Sequence, residues 1–377
     1  MMRYSLPKLL LLFVSLALLS NCKRWDTDIT TISEMDECIQ EEMEKQNIPA
    51  VAALIFKDDN IVYESYFGQA NVEEGTALDS NSVFLMASVS KTITATALLK
   101  LYQIGAFQLD DPINNFLNFD VSIPGYSEAV TFRHLLTHTS GIADGSALDG
   151  QYFYGEDSPN DLATFMEDYL TPGGQYYNES ENFHDFAPGT QHEYSNIGSA
   201  LIGVLVEEIS GNDFNTFCQQ NIFNPLQMEH TFWRLDEVDQ PLVMPYTYAS
   251  REFSPVGHYT FTDYPNGGLR SNARDMFRFF RAFVAGGVSN GVTMLHSTTV
   301  EEMLTPQIPD LDATVGLHMF EMDRDLNLWG HDGGEQGVST VAAFNTSNQL
   351  GVILLTNMSD VNLDQMMKAA YNLAQQF

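Results

Sequence analysis

Two pairs of apolar runs, set at opposite ends of the 377-residue chain, limit the possible folds more than any other feature. Near the N-terminus, Ala50 to Phe56 and Ile61 to Phe67 flank Lys57-Asp58-Asp59-Asn60. Near the C-terminus, Val338 to Phe344 and Leu350 to Thr356 flank Asn345 to Gln349. Each pair reads as strand, polar turn, strand, the signature of a hairpin. A helical pattern accompanies each: Ile32 to Gln46, with Cys38 and Ile39 on its apolar side, and about Asp360 to Gln375. One antiparallel sheet built from both chain ends and flanked by helices, an α/β (α+β) architecture, buries all four runs. The middle of the chain is then an inserted, mostly helical lobe over about 88–265. Helices are expected near Ser88 to Ile104, Asp161 to Leu170, Asn196 to Ile209, Asp213 to Ile222 and Ala273 to Ala285. The stretch Gly141 to Thr190 is long and rich in Gly, Asn, Asp and Tyr, the composition of a functional rim or a mobile excursion. No fixed-period repeat or low-complexity linker divides the body.

The first residues stand apart. Arg3 and Lys8 precede an apolar run, Leu9 to Leu19, broken only by Ser15, and Asn21-Cys22-Lys23-Arg24 ends it. Residues 1–21 therefore read as an export signal, too short to be a permanent membrane span. Leu19-Ser20-Asn21-Cys22 is similar to a bacterial lipobox, with Asn21 where Gly, Ala or Ser is preferred, so Cys22 is the expected acylation site. Residues 22–31 form a polar tether and 32–377 the folded domain. The expected location is the periplasm or cell envelope, with membrane contact only through a lipid at Cys22.

Charge removes other partners. Against 50 Asp and Glu stand 17 Lys and Arg, a formal net charge of -33, which repels nucleic acid and anionic lipid alike. Cys38 and Cys218 remain for the folded domain. Each sits in a helical pattern where an unpaired, buried thiol is expected rather than a disulfide. No Cys/His spacing fits a metal, and no cofactor is expected.

Three short elements carry chemistry. Ser88-Val89-Ser90-Lys91 opens a helix, where residues three apart share a face, so the Lys91 amine can lie beside the Ser88 hydroxyl at a helix N-terminus. Ser5-Leu6-Pro7-Lys8 and Ser20-Asn21-Cys22-Lys23 have the same spacing within or beside the leader, so this pattern alone decides little. Tyr194-Ser195-Asn196 stands at a loop–helix junction, where a phenol can shuttle a proton and an amide can bind substrate, or where Asn196 simply caps the helix. Tyr176-Tyr177-Asn178 and Tyr264-Pro265-Asn266 are decoys of the same spacing. Gly330-His331-Asp332-Gly333-Gly334 precedes the Val338 strand. It is either a ligand-approaching backbone or a glycine-rich turn with an exposed His.

Together these elements resemble the serine β-lactamase and penicillin-binding-protein superfamily, in particular its class C-like serine hydrolases and esterase relatives. Thr131-Phe132-Arg133-His134-Leu135-Leu136-Thr137-His138-Thr139-Ser140-Gly141 also resembles a family hallmark. Pro225 to Met228, Gly267 to Ser271 with Arg274-Asp275, and Leu354 to Asn357 follow in the family's order. The resemblance covers nearly all of residues 32–377 and implies a β-lactamase/transpeptidase-like fold.

It further implies that Ser88 is acylated, that Lys91, its pKa lowered by nearby positive charge and partial burial, takes the proton, and that Tyr194 serves the leaving group and the deacylating water. Asn196, His331 and Gly333 would bind substrate, and the N–H groups of Ser88 and Gly334 would form an oxyanion hole. His134 and His138 resemble structural residues.

The departure is at the third element, where β-lactam-recognising members commonly carry Lys-Thr-Gly. The seven lysines are Lys8, Lys23, Lys45, Lys57, Lys91, Lys100 and Lys368, and none lies between Leu101 and Met367. A His-Asp-Gly element attracts a substrate carboxylate weakly. The expected activity is therefore hydrolysis of an ester or peptide-like amide, with a true β-lactamase or D-alanyl-D-alanine carboxypeptidase as the alternative. A non-catalytic surface lipoprotein using the fold as a binding module is a second alternative. Gly287-Val288-Ser289-Asn290-Gly291 copies an α/β-hydrolase elbow in letters only, since it follows a helix and is framed by turn dipeptides.

Overall fold

In the computed structural model, which describes residues 29–377, both hairpins form and meet. Strands β1 (Ala50–Lys57) and β2 (Asn60–Asn71) make the first, and β3 (Thr76–Ala77) adds to its outer edge. β4 (Tyr152–Tyr154) and β5 (Tyr259–Phe261) pair separately, outside the main sheet. β6 (Phe320–Asp323), β7 (Leu328–Glu335), β8 (Val338–Asn345) and β9 (Leu350–Thr356) complete the seven-stranded antiparallel order β6-β7-β8-β9-β1-β2-β3. The two ends of the chain join at the centre, where Val51 lies opposite Thr356 and Lys57 opposite Leu350.

The run AVAALIF lacks the alternation of a half-exposed strand because both faces of β1 are covered. Ala50, Ala52, Leu54 and Phe56 point into the core shared with the helical lobe. Val51, Ala53 and Ile55 point into a second core under α1 (Ile32–Gln46) and the C-terminal helix. Phe56 lies across from Gly351, where any side chain would meet its ring, so the missing Cβ lets an aromatic cover the neighbouring strand.

Phe84 and Leu85 pair with Ser271 and Arg270. The lobe's entrance and exit are thereby clamped together at the sheet. Within it stand α2 (Ser90–Tyr102) and α3 (Asn196–Ser210), packed against each other, and α4 (Ala273–Val284) follows the exit. A helix over Leu162–Leu170 and another over Phe214–Cys218, which loosens into a π turn at Gln219–Phe223, occupy the other expected positions. The last helix, α5 (Asp364–Ala374), starts four residues later than Asp360 because Asp360 adopts a left-handed φ of 57° that keeps the preceding loop out of the helix. Cys38 and Cys218 are free and buried. Among the described residues no helix is long and apolar enough to cross a membrane. The leader 1–21, Cys22 and most of the tether lie outside the described residues.

Candidate active site

The position of Ser88, the candidate nucleophile, depends on an unusual backbone turn. Ala87–Val89 forms a 3₁₀ turn running directly into α2, and Ala87 holds φ at 47°, a left-handed value costly for a residue with a Cβ. This turn presents Ser88 at the start of the helix. One turn on, Lys91 is wholly buried; its Nζ lies 3.1 Å from Ser88 Oγ and donates to Asn196 Oδ1 at 2.7 Å and the Asn266 carbonyl at 2.8 Å.

Burial pushes the Lys91 amine down to about 7, against the pull of Asp144, Asp263, Glu335 and Asp332. The expectation of nearby positive charge is corrected: the charged groups that act on Lys91 are carboxylates, and burial does the lowering. A neutral amine keeps two N–H bonds and one lone pair. Asn196 Oδ1 and the Asn266 carbonyl can only accept, so they take the two N–H groups and leave the lone pair directed at the Ser88 hydroxyl. Lys91 is thus arranged as the proton acceptor for Ser88.

Asn196 is already committed on both sides. Its Nδ2 donates to Asp144 Oδ2 at 2.9 Å, which fixes its Oδ1 toward Lys91. The helix cap is Ser195, whose hydroxyl accepts from Gly198 N, and not Asn196. Asp144 adds to that cap by accepting from the N–H groups of Asn196 and Ile197. The long segment after Gly141 is therefore more than a rim: pairing of Ile142 with Phe183 fixes the strand-like stretch that delivers Asp144.

Tyr194 stands over this cluster, with Lys91 Nζ 4.8 Å from its ring centre. Burial raises its phenol well above the usual value, a hydrogen bond with Ser88 opposes the rise, and Asp332 and Asp144 add to it. The phenol is consequently protonated at neutral pH and suited to donate. The ring stacks on His138 at 4.3 Å, and His138 stacks in turn on His318 at 4.6 Å. His138 Nδ1 accepts from Ser195 N at 3.2 Å, and burial drives both imidazoles well below the usual histidine range. His138 therefore supports Tyr194 as a neutral ring, consistent with a structural role.

The third element is a strand interior, not a turn. Gly330 to Gly334 lies within β7, and β6 pairs with β7 only as far as Gly330, so the same edge is open beyond it. Gly333 packs against the Ser88 turn, since a Cβ there would sit 2.7 Å from the Met86 carbonyl and 3.1 Å from Ala87 Cβ. Gly334 faces open space. Together they set an open strand edge beside Ser88, the arrangement an oxyanion site requires.

His331 is 3% exposed and not a surface residue. Its Nδ1 lies 2.5 Å from the Asp332 carbonyl, and burial, with Lys91 nearby, lowers it to about 3. It offers no cation to a substrate.

Several contributors escape a sequence reading. Asn266 belongs to the Tyr264-Pro265-Asn266 decoy, yet its carbonyl holds Lys91 and the Pro265 carbonyl holds Thr94. Asp263, raised to about 7 by burial, accepts from Asn266 Nδ2 at 2.7 Å and braces that turn. Only the position of this segment after the family-like order, directly before Gly267-Gly268, hinted at a role. Among the described residues no group of three or more His, Cys, Asp or Glu side chains is placed to hold a metal ion.

Comparison with known proteins agrees with this geometry. The profile of the Beta-lactamase family matches residues 35–376. Protein flp of Staphylococcus aureus (strain MW2) is 22% identical over 336 residues, covering 86% of this chain and 63% of that protein. A beta-lactamase of Yersinia enterocolitica is 28% identical over 282 residues, covering 72% of this chain and 65% of that one. The chain thus spans less than two thirds of these relatives' length.

Among solved structures, the octameric penicillin-binding protein homologue from Pyrococcus abyssi superposes with a TM-score of 0.73 at 23% identity, covering 92% of this chain and 77% of that one. EstCE1, a hydrolase with promiscuous acyltransferase activity, gives 0.70 at 16% identity, with 91% and 98% covered. These likenesses establish the fold. With a matching profile over almost the whole described chain, and Ser88 and Tyr194 both brought against Lys91, the chain belongs to the beta-lactamase family of serine hydrolases.

Proposed function

We propose that the protein is an exported serine hydrolase, lipid-anchored at Cys22 in the cell envelope, that cleaves an ester or peptide-like amide through an acyl-enzyme on Ser88. The observation that carries the catalytic part is the lone-pair argument: two acceptor-only partners leave the neutral Lys91 amine facing the Ser88 hydroxyl. Ser88 Oγ attacks the carbonyl as Lys91 takes its proton, and the oxyanion forms against the Ser88 and Gly334 N–H groups. The protonated Tyr194 phenol donates to the departing alcohol or amine as the bond to it breaks. Tyr194, left as phenolate, then takes a proton from water as that water attacks the acyl-serine, and the Lys91 ammonium returns its proton to Ser88 Oγ as the ester bond breaks, which releases the free acid and restores the resting site. The export part rests on Arg3, Lys8, Leu9 to Leu19 and Cys22.

Neutral His331 beside Asp332 disfavours a substrate carboxylate, which places β-lactams and D-alanyl-D-alanine peptides behind esters and uncharged amides. The test compares wild type with Ser88→Ala on a short p-nitrophenyl ester, a chromogenic cephalosporin and a D-Ala-D-Ala peptide. Fastest turnover of the ester, abolished by the substitution, is expected, with a fluorophosphonate adduct on Ser88 by intact mass. Turnover surviving in Ser88→Ala removes the nucleophile. A folded wild type that forms no adduct supports the binding-module alternative instead.

A further inference from the structure

One face of β7 gives the cleft a direction. Side chains two apart on a strand share a face, so His331, Gly333 and Glu335 all point toward the helical lobe. Gly333, in the middle, packs on the Met86 carbonyl and Ala87 at the Ser88 turn. The His331 ring lies 6.3 Å from Tyr194, the donor to the departing group. The leaving group therefore occupies the His331 end, and the acyl chain runs from the carbon under attack toward Glu335.

That end is closed. The Glu335 carboxylate accepts from the Tyr152 hydroxyl at 3.2 Å and from Gln336 N at 2.9 Å. Tyr154 donates to Gln336 Oε1 at 3.1 Å, and Tyr259 donates to the Gln336 carbonyl at 2.8 Å. Three tyrosines of β4 and β5 thus tie the lobe to the turn between β7 and β8. The Tyr152 ring stands 5.6 Å from Phe261, and Phe261 packs in one apolar cluster with Ala87. The aromatic layer is continuous from the Ser88 turn to Glu335.

Two residues of strand, about 7 Å, separate Gly333 from Glu335. An extended acyl chain of about four carbons fills that length at van der Waals contact. Further methylenes meet the Tyr152 ring, or they strip water from the Glu335 carboxylate without replacing its hydrogen bonds.

Resting on the Ser88 reading above, we propose that Tyr152 and Glu335 are specificity-determining residues that end the acyl pocket and restrict the enzyme to short acyl groups, up to butyryl.

The p-nitrophenyl esters of acetate, butyrate and octanoate test this. In each, Ser88 Oγ bonds to the carbonyl carbon, the bond to p-nitrophenolate breaks, and water then releases the acid. The expected kcat/KM on the octanoate is at least tenfold below that on the butyrate. The octanoate-to-butyrate ratio rises at least fivefold in Tyr152→Ala and in Glu335→Ala, each checked for folding by circular dichroism. Methyl p-nitrophenyl butylphosphonate and octylphosphonate give a second reading, because Ser88 displaces p-nitrophenolate from phosphorus and no deacylation is needed. Their labelling rates at Ser88 are expected to follow the same order in wild type and to converge in the variants. Equal rates for the short and long chains in turnover and in labelling, or ratios unmoved in the folded variants, overturn the wall while the Ser88 adduct keeps the nucleophile. Turnover that survives in Ser88→Ala, or a folded wild type without an adduct, overturns the Ser88 reading and the wall with it.

Discussion

Asp144 never touches Ser88, yet it should set the pH at which the enzyme works. Lys91 is competent as a proton acceptor only when neutral, so kcat/KM on a neutral ester falls as pH drops through its pKa, about 7. Hydrogen bonds of 2.7 and 2.9 Å through the Asn196 carboxamide set the Asp144 carboxylate roughly 6 Å from Lys91 Nζ, where a unit charge is worth about 2–3 kcal/mol at an effective dielectric near 20. Asp144 is exposed to solvent, which screens the interaction, and about half that value, roughly one pH unit, is the working figure.

A negative charge stabilises the ammonium, so its removal lowers the Lys91 pKa and moves the acid limb toward lower pH. Asp144→Asn keeps the size and one acceptor oxygen of the side chain, and the position of the limb reads the charge even where the plateau falls. The assay is a pH profile of kcat/KM on a p-nitrophenyl ester from pH 5 to 9 for both proteins. A limb that stays in place, or moves to higher pH, refutes the electrostatic coupling of Asp144 to Lys91.

Further consequences are open to direct measurement. Folding lowers the Lys91 pKa from 10.5 to about 7, so the unfolded chain binds the extra proton between those values and wild-type stability gains with pH above 7. Lys91→Met should lose that gain, seen as a shrinking difference in denaturation midpoint between pH 7 and 9; an unchanged difference contradicts the buried-amine account. Gly351→Ala forces a Cβ to within 2.2 Å of the Phe56 ring and should cost about 1–3 kcal/mol. Its melting temperature should drop by several degrees with activity per folded molecule intact, and a wild-type melting temperature would discount the aromatic cover. Burial pushes the Cys38 thiol up to about 12 and raises Cys218 as well. Neither should react with iodoacetamide until denaturant is added, and labelling of the native protein by mass spectrometry would contradict their packing.

The sheet was legible because β1, β8 and β9 are continuous apolar runs separated by polar turns, a pattern few other folds produce. β7 was not, since LWGHDGGE carries the glycines of a turn. Those glycines reflect close approach instead: Gly330 under the Ala342 carbonyl and Gly333 against the Ser88 turn. Ser88, Lys91 and Tyr194 were legible from spacing and order. Asp144 and Asn266 were not, because their contacts span 52 and 175 residues and Asn266 acts through a backbone carbonyl that any residue could supply; Asp263 was not, because it matters only by bracing that Asn266 turn three residues on. The sequence likewise placed a lysine beside a serine but misjudged what tunes it, since burial and the signs of neighbouring charges appear only when the lobe closes on the sheet.

The pairing of β1 with β9 also sets a timetable. Residues in the fifties hydrogen-bond to residues in the three-fifties, so this pairing cannot begin until the residues through Thr356 have been synthesised. Contacts so distant in sequence carry a high closure entropy and slow the search for the native state. During that wait the apolar β1–β2 hairpin has an unsatisfied edge, a hazard for self-association.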